Sequence, residues 1–112
     1  MNHVPTKELT YATFAGLEQT KFGVVLESNN RVELELVEVR LVRSQGGGGS
    51  GESGQECFSL LFHGPESPLL SQGSYGFEQP KIGAFELFIV PIGRVAGAIE
   101  YQAIFNRLVK RD

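Results

Sequence analysis

Tryptophan is absent, and cysteine and methionine occur once each in the 112 residues. The lone Cys57 cannot close an internal disulfide, so no oxidising compartment is implied. Histidine occurs only at His3 and His63, without the spacing of an H-x-x-x-H or C-x-x-C metal motif. Charge of one sign is scarce as well: the net charge is −3, and the largest basic cluster is Lys110-Arg111 at the C-terminus. A nucleic-acid footprint needs a basic stripe, and none is visible. Long apolar runs are missing too. The longest, Phe85 to Ile92, is interrupted by Glu86 and Pro91 and is too short for a transmembrane helix. The opening MNHVPTKELTYATF has no apolar stretch of signal-peptide length, so the expected address is the cytoplasm. Release as part of a particle fits the same residues.

What is present points to short strands. Fourteen glycines sit mainly in turn-like positions, and the length and composition are those of one soluble domain. The most informative segment is Arg31 to Arg43, RVELELVEVRLVR. Val32, Leu34 and Leu36 share one parity; Val37, Val39 and Leu41 share the other. Side chains alternate faces along a strand, so this slip would turn the second half outward unless a bulge near Leu36-Val37 re-aims it. Such bends belong to small barrels and tightly curved sheets.

Alternation also predicts strands over Lys21–Leu26, Cys57–His63, Gly73–Glu78, Ile82–Val90 and Ala98–Phe105. Thr10 is placed to cap a short helical turn carrying Tyr11, Phe14 and Leu17. The expected fold is all-β: a small antiparallel six-stranded barrel or sandwich, up-and-down in order, with one short N-terminal helical turn. One domain is expected over 9–107. Residues 1–8 read as a flexible lead, 44–55 as a flexible glycine-rich loop, 91–97 as a turn region and 108–112 as a frayed tail. The GGGGSG of 46–51 fits either a natural variable loop or an engineered linker.

The stretch CFSLLFHGPESPLLSQGSYGFEQPKIGAFELFIVPIG, with IEYQAIFNR after it, resembles a family of small bacterial domains of unknown function. The resemblance rests on Phe58 to Phe62, Gly64-Pro65, Gln72-Gly73 with Tyr75, Glu78-Gln79-Pro80, Leu87 to Gly93 and Tyr101 to Asn106, and it spans residues 9–107. Gln79 stands where the family usually has histidine, Ile82 replaces leucine and Gln102 replaces glutamate, so no role of that histidine transfers. The resemblance implies no activity. It implies genes near phage-tail-collar-like or tail-fibre-like proteins, which is an association rather than a mechanism.

No constellation forces a chemistry. His63 reads as a strand-end surface histidine. Cys57 lies roughly 20 Å along the same strand from it, too far for a nucleophile–base pair. Glu33 and Glu35 share a face, but the simpler reading is a solvated outer surface. No catalytic, metal or cofactor residue is assigned, and an enzyme is not expected.

Leu61, Phe88, Val90 and Ile104 are less easily dismissed, because they lie on the parity opposite the core. Burying each would gain about 1.5–3 kcal/mol. Either the helical turn with Phe14 and Leu17 covers them or they form a contact patch for a partner protein or a second copy. The function expected is a non-enzymatic protein–protein interaction or structural accessory module, set in a phage-tail-like or surface assembly, with neither membrane nor nucleic acid as partner. The alternative is a small-molecule or glycan-binding barrel lined by Tyr75, Phe77 and Tyr101.

Overall fold

The computed structural model describes residues 4–5, 8–27, 30–47 and 52–109; at 43–47, 52–55 and 107–109 it describes the backbone alone. A four-residue helix α1 (Tyr11–Phe14) precedes six strands: β1 (Lys21–Val25), β2 (Arg31–Gly47), β3 (Glu52–Gly64), β4 (Gly73–Gln79), β5 (Gly83–Val95) and β6 (Ala98–Val109). All pairings are antiparallel, and the ring closes in the order β1-β2-β3-β6-β5-β4. The expected up-and-down order therefore fails at one place. β1-β2-β3 and β4-β5-β6 are each meanders, but β3 is followed in space by β6, and the 65–72 connection carries the chain across to β4.

The parity slip in β2 is a bulge. Leu36 pairs with Phe62 and Glu38 with Leu61, leaving Val37 as the extra residue. Before the bulge β2 pairs with β1, from Lys21↔Glu35 to Val25↔Arg31. After it, Val39 and Leu41 face inward opposite Leu60 and Phe58. Val39 packs against the core, whereas Leu41, at 42% exposure, sits at its rim.

Four boundary expectations need correction. First, pairing runs into the glycine-rich segment, where Ser44↔Glu56, Gln45↔Gln55 and Gly47↔Glu52 continue the β2–β3 ladder. Backbone hydrogen bonds need no side chain, so composition misjudged how far the ladder extends; residues 48–51 of that segment lie outside the described residues. Second, the 91–97 region is largely strand. β5 continues to Val95 through a bulge between Pro91 and Gly93, and the turn is Ala96-Gly97, both at positive φ. Third, the tail is paired as far as Val109, opposite Gly54; residues 110–112 lie outside the described residues. Fourth, the expected flexible lead is tied down at Val4, while its residues 1–3 and 6–7 lie outside the described residues. The Val4 N–H donates to the Ala84 carbonyl at 2.7 Å. Leu9, the first residue of the expected domain, is fully buried.

Aromatic rings fill the interior. Phe14, Phe22, Phe58, Phe62, Phe77, Phe85 and Tyr101 are all fully buried. Phe58 stacks on Phe105 with centroids 4.5 Å apart, and Phe22 meets Phe62 edge-on at 5.3 Å. Offset and edge contacts of this kind add to the hydrophobic gain of burial.

α1 belongs to this core. Thr10 is its N-cap, and the Thr10 N–H donates to Thr13 Oγ1 at 3.0 Å. Phe14 stands 5.8–6.3 Å, ring to ring, from Phe22, Phe58, Phe85 and Phe105. The helical turn therefore plugs the barrel from within. It does not cover the outer sheet face, and that expectation falls.

Candidate functional site

The outer face of β2, β3, β6 and β5 is the part of the surface with most character. Cross-strand pairing sets its rows. Glu35, His63 and Glu100 lie side by side, as do Glu38, Leu61 and Gln102, and then Arg40, Ser59 and Ile104. β5 adds Val90 opposite Gln102. Phe88 lies two residues before Val90, on the same parity.

The candidate contact residues divide in two. Leu61 and Val90 are half-buried between neighbouring side chains. Phe88 and Ile104 are 51% and 66% exposed. Sequence parity identified them because these strand segments are regular. It missed Ile92, Val95 and Leu69, which are exposed as well. Ile92 escaped because the bulge between Pro91 and Gly93 breaks the alternation there.

Leu61 floors a hollow of about 200 Å³ lined by Glu38, Arg40, Ser59, Ile92, Glu100 and Gln102. A wider depression of about 480 Å³ involves Lys21, Glu33, Glu35, His63, Gly64, Pro65 and Ala98. His63 lines the second and Glu100 the first, and the two side chains meet at 3.0 Å from Nε2 to Oε2. This contact holds the imidazole in a half-buried position between carboxylate-bearing strands. It brings no nucleophile to the histidine, because Cys57 remains on the far part of β3, opposite Asn106 and Arg43. Among the described residues, no group of three or more His, Cys, Asp or Glu side chains is placed to hold a metal ion. No helix there is long and apolar enough to cross a membrane.

Glu33 faces solvent and Glu35 is half-exposed, as the simpler reading of that strand expects. The residues proposed to line a binding cavity are placed otherwise. Phe77 and Tyr101 are fully buried in the core, and Tyr75 packs against it while donating its hydroxyl to the Ser71 carbonyl at 2.7 Å. The Tyr101 hydroxyl accepts the Leu70 N–H at 2.9 Å, which fixes the 65–72 connection across the barrel. Gln79 is buried, with its side-chain carbonyl accepting the Lys81 N–H at 2.6 Å and its amide 3.5 Å from Thr20 Oγ1. It is a structural polar residue at a turn.

The fold and surface thus define a small closed antiparallel β-barrel with a packed aromatic interior and exposed apolar side chains, Phe88 and Ile104 among them, on its outer face. The chain belongs to the family described as Domain of unknown function (DUF6916), matched over residues 9–105. Neither a curated protein nor a solved structure matches it significantly.

Proposed function

We propose that this chain is a non-enzymatic protein–protein interaction or structural accessory module that recognises its partner through the outer face of β5 and β6. One observation carries the reading: Phe88 and Ile104 stand out from the barrel, and the helical turn expected to cover them is spent inside it. Large apolar side chains grouped on one face mark contact sites more often than bare solvent surface. From Val37 to Gly47 the β2 edge away from β3 has no partner strand among the described residues, which offers a second mode of attachment by strand addition. A phage-tail-like or surface assembly is the proposed setting, and a protein rather than a nucleic acid is the proposed partner. The glycan-binding alternative gains no support from the interior, because Phe77 and Tyr101 are packed within it.

The test is a paired Phe88→Ser and Ile104→Asp substitution, with Leu61→Asp alongside. Size-exclusion with light scattering reads the assembly state. Capture from a lysate of the source organism, with tail and collar proteins sought first, reads the partner. Folded variants that no longer assemble or capture support the proposal. Variants indistinguishable from the parent in both assays refute it.

A further inference from the structure

We propose that the hollow over Leu61 is the seat for one arginine side chain of the partner protein. The inference rests on the outer-face reading and names the chemistry that the partner must bring to it.

Strand pairing builds the hollow. Leu61 lies on the middle strand β3, with Glu38 of β2 and Gln102 of β6 directly beside it. The bulge between Pro91 and Gly93 leaves Ile92 as the extra residue of β5, and Ile92 lines the same hollow. Ser59 and Ile104 pair in the next row, so the lining runs into the exposed apolar side chains of this face. The space is about 200 Å³. Sites for free small molecules occupy roughly 300–1,000 Å³, so one side chain of a larger partner suits this hollow better than a separate ligand.

Its surfaces are of two kinds. Leu61 and Ile92 are apolar, whereas Glu38 on one side and Glu100 and Gln102 on the other are polar. The backbones of β2 and β6 stand two strand spacings apart, about 10 Å, which leaves room for a flat group between the carboxylates. Each carboxylate is held through a single oxygen. Glu38 Oε2 accepts the Arg40 Nε–H at 3.0 Å, and Glu100 Oε2 meets His63 Nε2 at 3.0 Å. Among the described residues, neither Oε1 atom nor the Gln102 amide has a hydrogen bond.

The surrounding charge favours a cation. The linings of this hollow and the neighbouring depression carry Glu33, Glu35, Glu38 and Glu100 against Lys21 and Arg40. Arg40 is 68% exposed. Exposed pairs of its kind contribute little, so an incoming cation can share Glu38 with it or displace it at small cost.

Arginine meets these conditions together. Its stem can cover Leu61 and Ile92 while its charged head stays at the carboxylates. Its flat guanidinium has five N–H donors in a fixed fork and accepts nothing, which matches acceptors on two walls. An apolar side chain would strip water from Glu100 and Gln102 and return no hydrogen bond. Lysine brings a compact, strongly hydrated charge that serves one wall at a time.

The test selects random linear peptides, displayed on a surface, against the full chain. Binders should be enriched in arginine over lysine. The leading peptide, made with a fluorescent label and read by anisotropy, should bind about tenfold or more weakly when its arginine is replaced by citrulline, which keeps the shape and loses the charge. The full chain carrying Glu38→Gln and Glu100→Gln should lose affinity to a similar degree, with circular dichroism verifying its fold. The chain carrying Glu33→Gln and Glu35→Gln should keep it, which separates the hollow from diffuse surface charge. Binders that lack arginine and are lost with Phe88→Ser and Ile104→Asp overturn the inference and leave the outer-face reading in place. Equal affinities for the arginine and citrulline peptides, unchanged binding to the Glu38→Gln, Glu100→Gln chain, equal losses from both glutamate pairs, or a selection that yields no binder overturn it as well.

Discussion

Replacing Phe14 with alanine removes a ring that, among the described residues, meets rings of β1, β3, β5 and β6 at the plugged end of the barrel. The side chain is fully buried, so the loss combines the transfer term with the cavity left among four phenylalanines. Phe→Ala changes in cores cost about 3–5 kcal/mol. The upper half of that range applies here, because Phe22, Phe58, Phe85 and Phe105 sit on separate strands and cannot all collapse inward. Unfolding entropy of about 2.1 cal/mol/K per residue gives roughly 0.24 kcal/mol/K for a chain of this length. A loss of about 4 kcal/mol then lowers the melting temperature by roughly 17 °C. Scanning calorimetry and urea unfolding followed by circular dichroism measure it. Ile104→Ala is the control, since an exposed site should shift stability by about 0.5 kcal/mol at most. A Phe14→Ala variant within about 1 kcal/mol of the parent would refute the assignment of α1 to the core.

Tyr101→Phe keeps the ring in place but removes the acceptor for the Leu70 N–H; it should cost about 1–3 kcal/mol, with hydrogen exchange at Leu70 accelerating more than at its neighbours. Deleting Val37 should be cheaper than deleting Val39. Without Val37 the pairs Leu36↔Phe62 and Glu38↔Leu61 become consecutive and every later side chain keeps its face. Without Val39, Arg40 is turned toward the core. The first deletion should stay within about 2 kcal/mol of the parent, and the second should cost several times more by burying a charge. Urea midpoints compare them, and equal losses would contradict the bulge assignment.

The bulge was legible because it leaves a mark on pattern: two adjacent apolar residues, Leu36 and Val37, between two runs of opposite parity. Phe88 and Ile104 were legible for the same reason, lying on regular alternating strands. Three things left no such mark. The spacing of Phe14 and Leu17 says that they share a face, but not whether that face meets the inside or the outside of a sheet. Glycines at 46–47 have no side chains to alternate, so the reach of β2 could not be read from polarity. The seat for α1 depends on where β5 and β6 stop pairing, and that is set by barrel closure rather than by either strand's sequence. The hydroxyl of Tyr101 did carry a usable signal: an inward tyrosine requires a partner, and the 65–72 connection supplies it.

The plug and the outer patch are two sides of one feature. Past Val90↔Gln102, β5 and β6 are no longer joined to each other by a ladder among the described residues. From within, Phe14 spans the gap between Phe85 and Phe105. From outside, Phe88 and Ile104 are carried by the same stretches of the same two strands, facing solvent. A partner seated on both would fasten from outside two strands that the backbone leaves unfastened there. Binding on this face should therefore raise hydrogen-exchange protection over 83–89 of β5. Unchanged protection with a partner bound would show the two faces of the seam to be energetically separate.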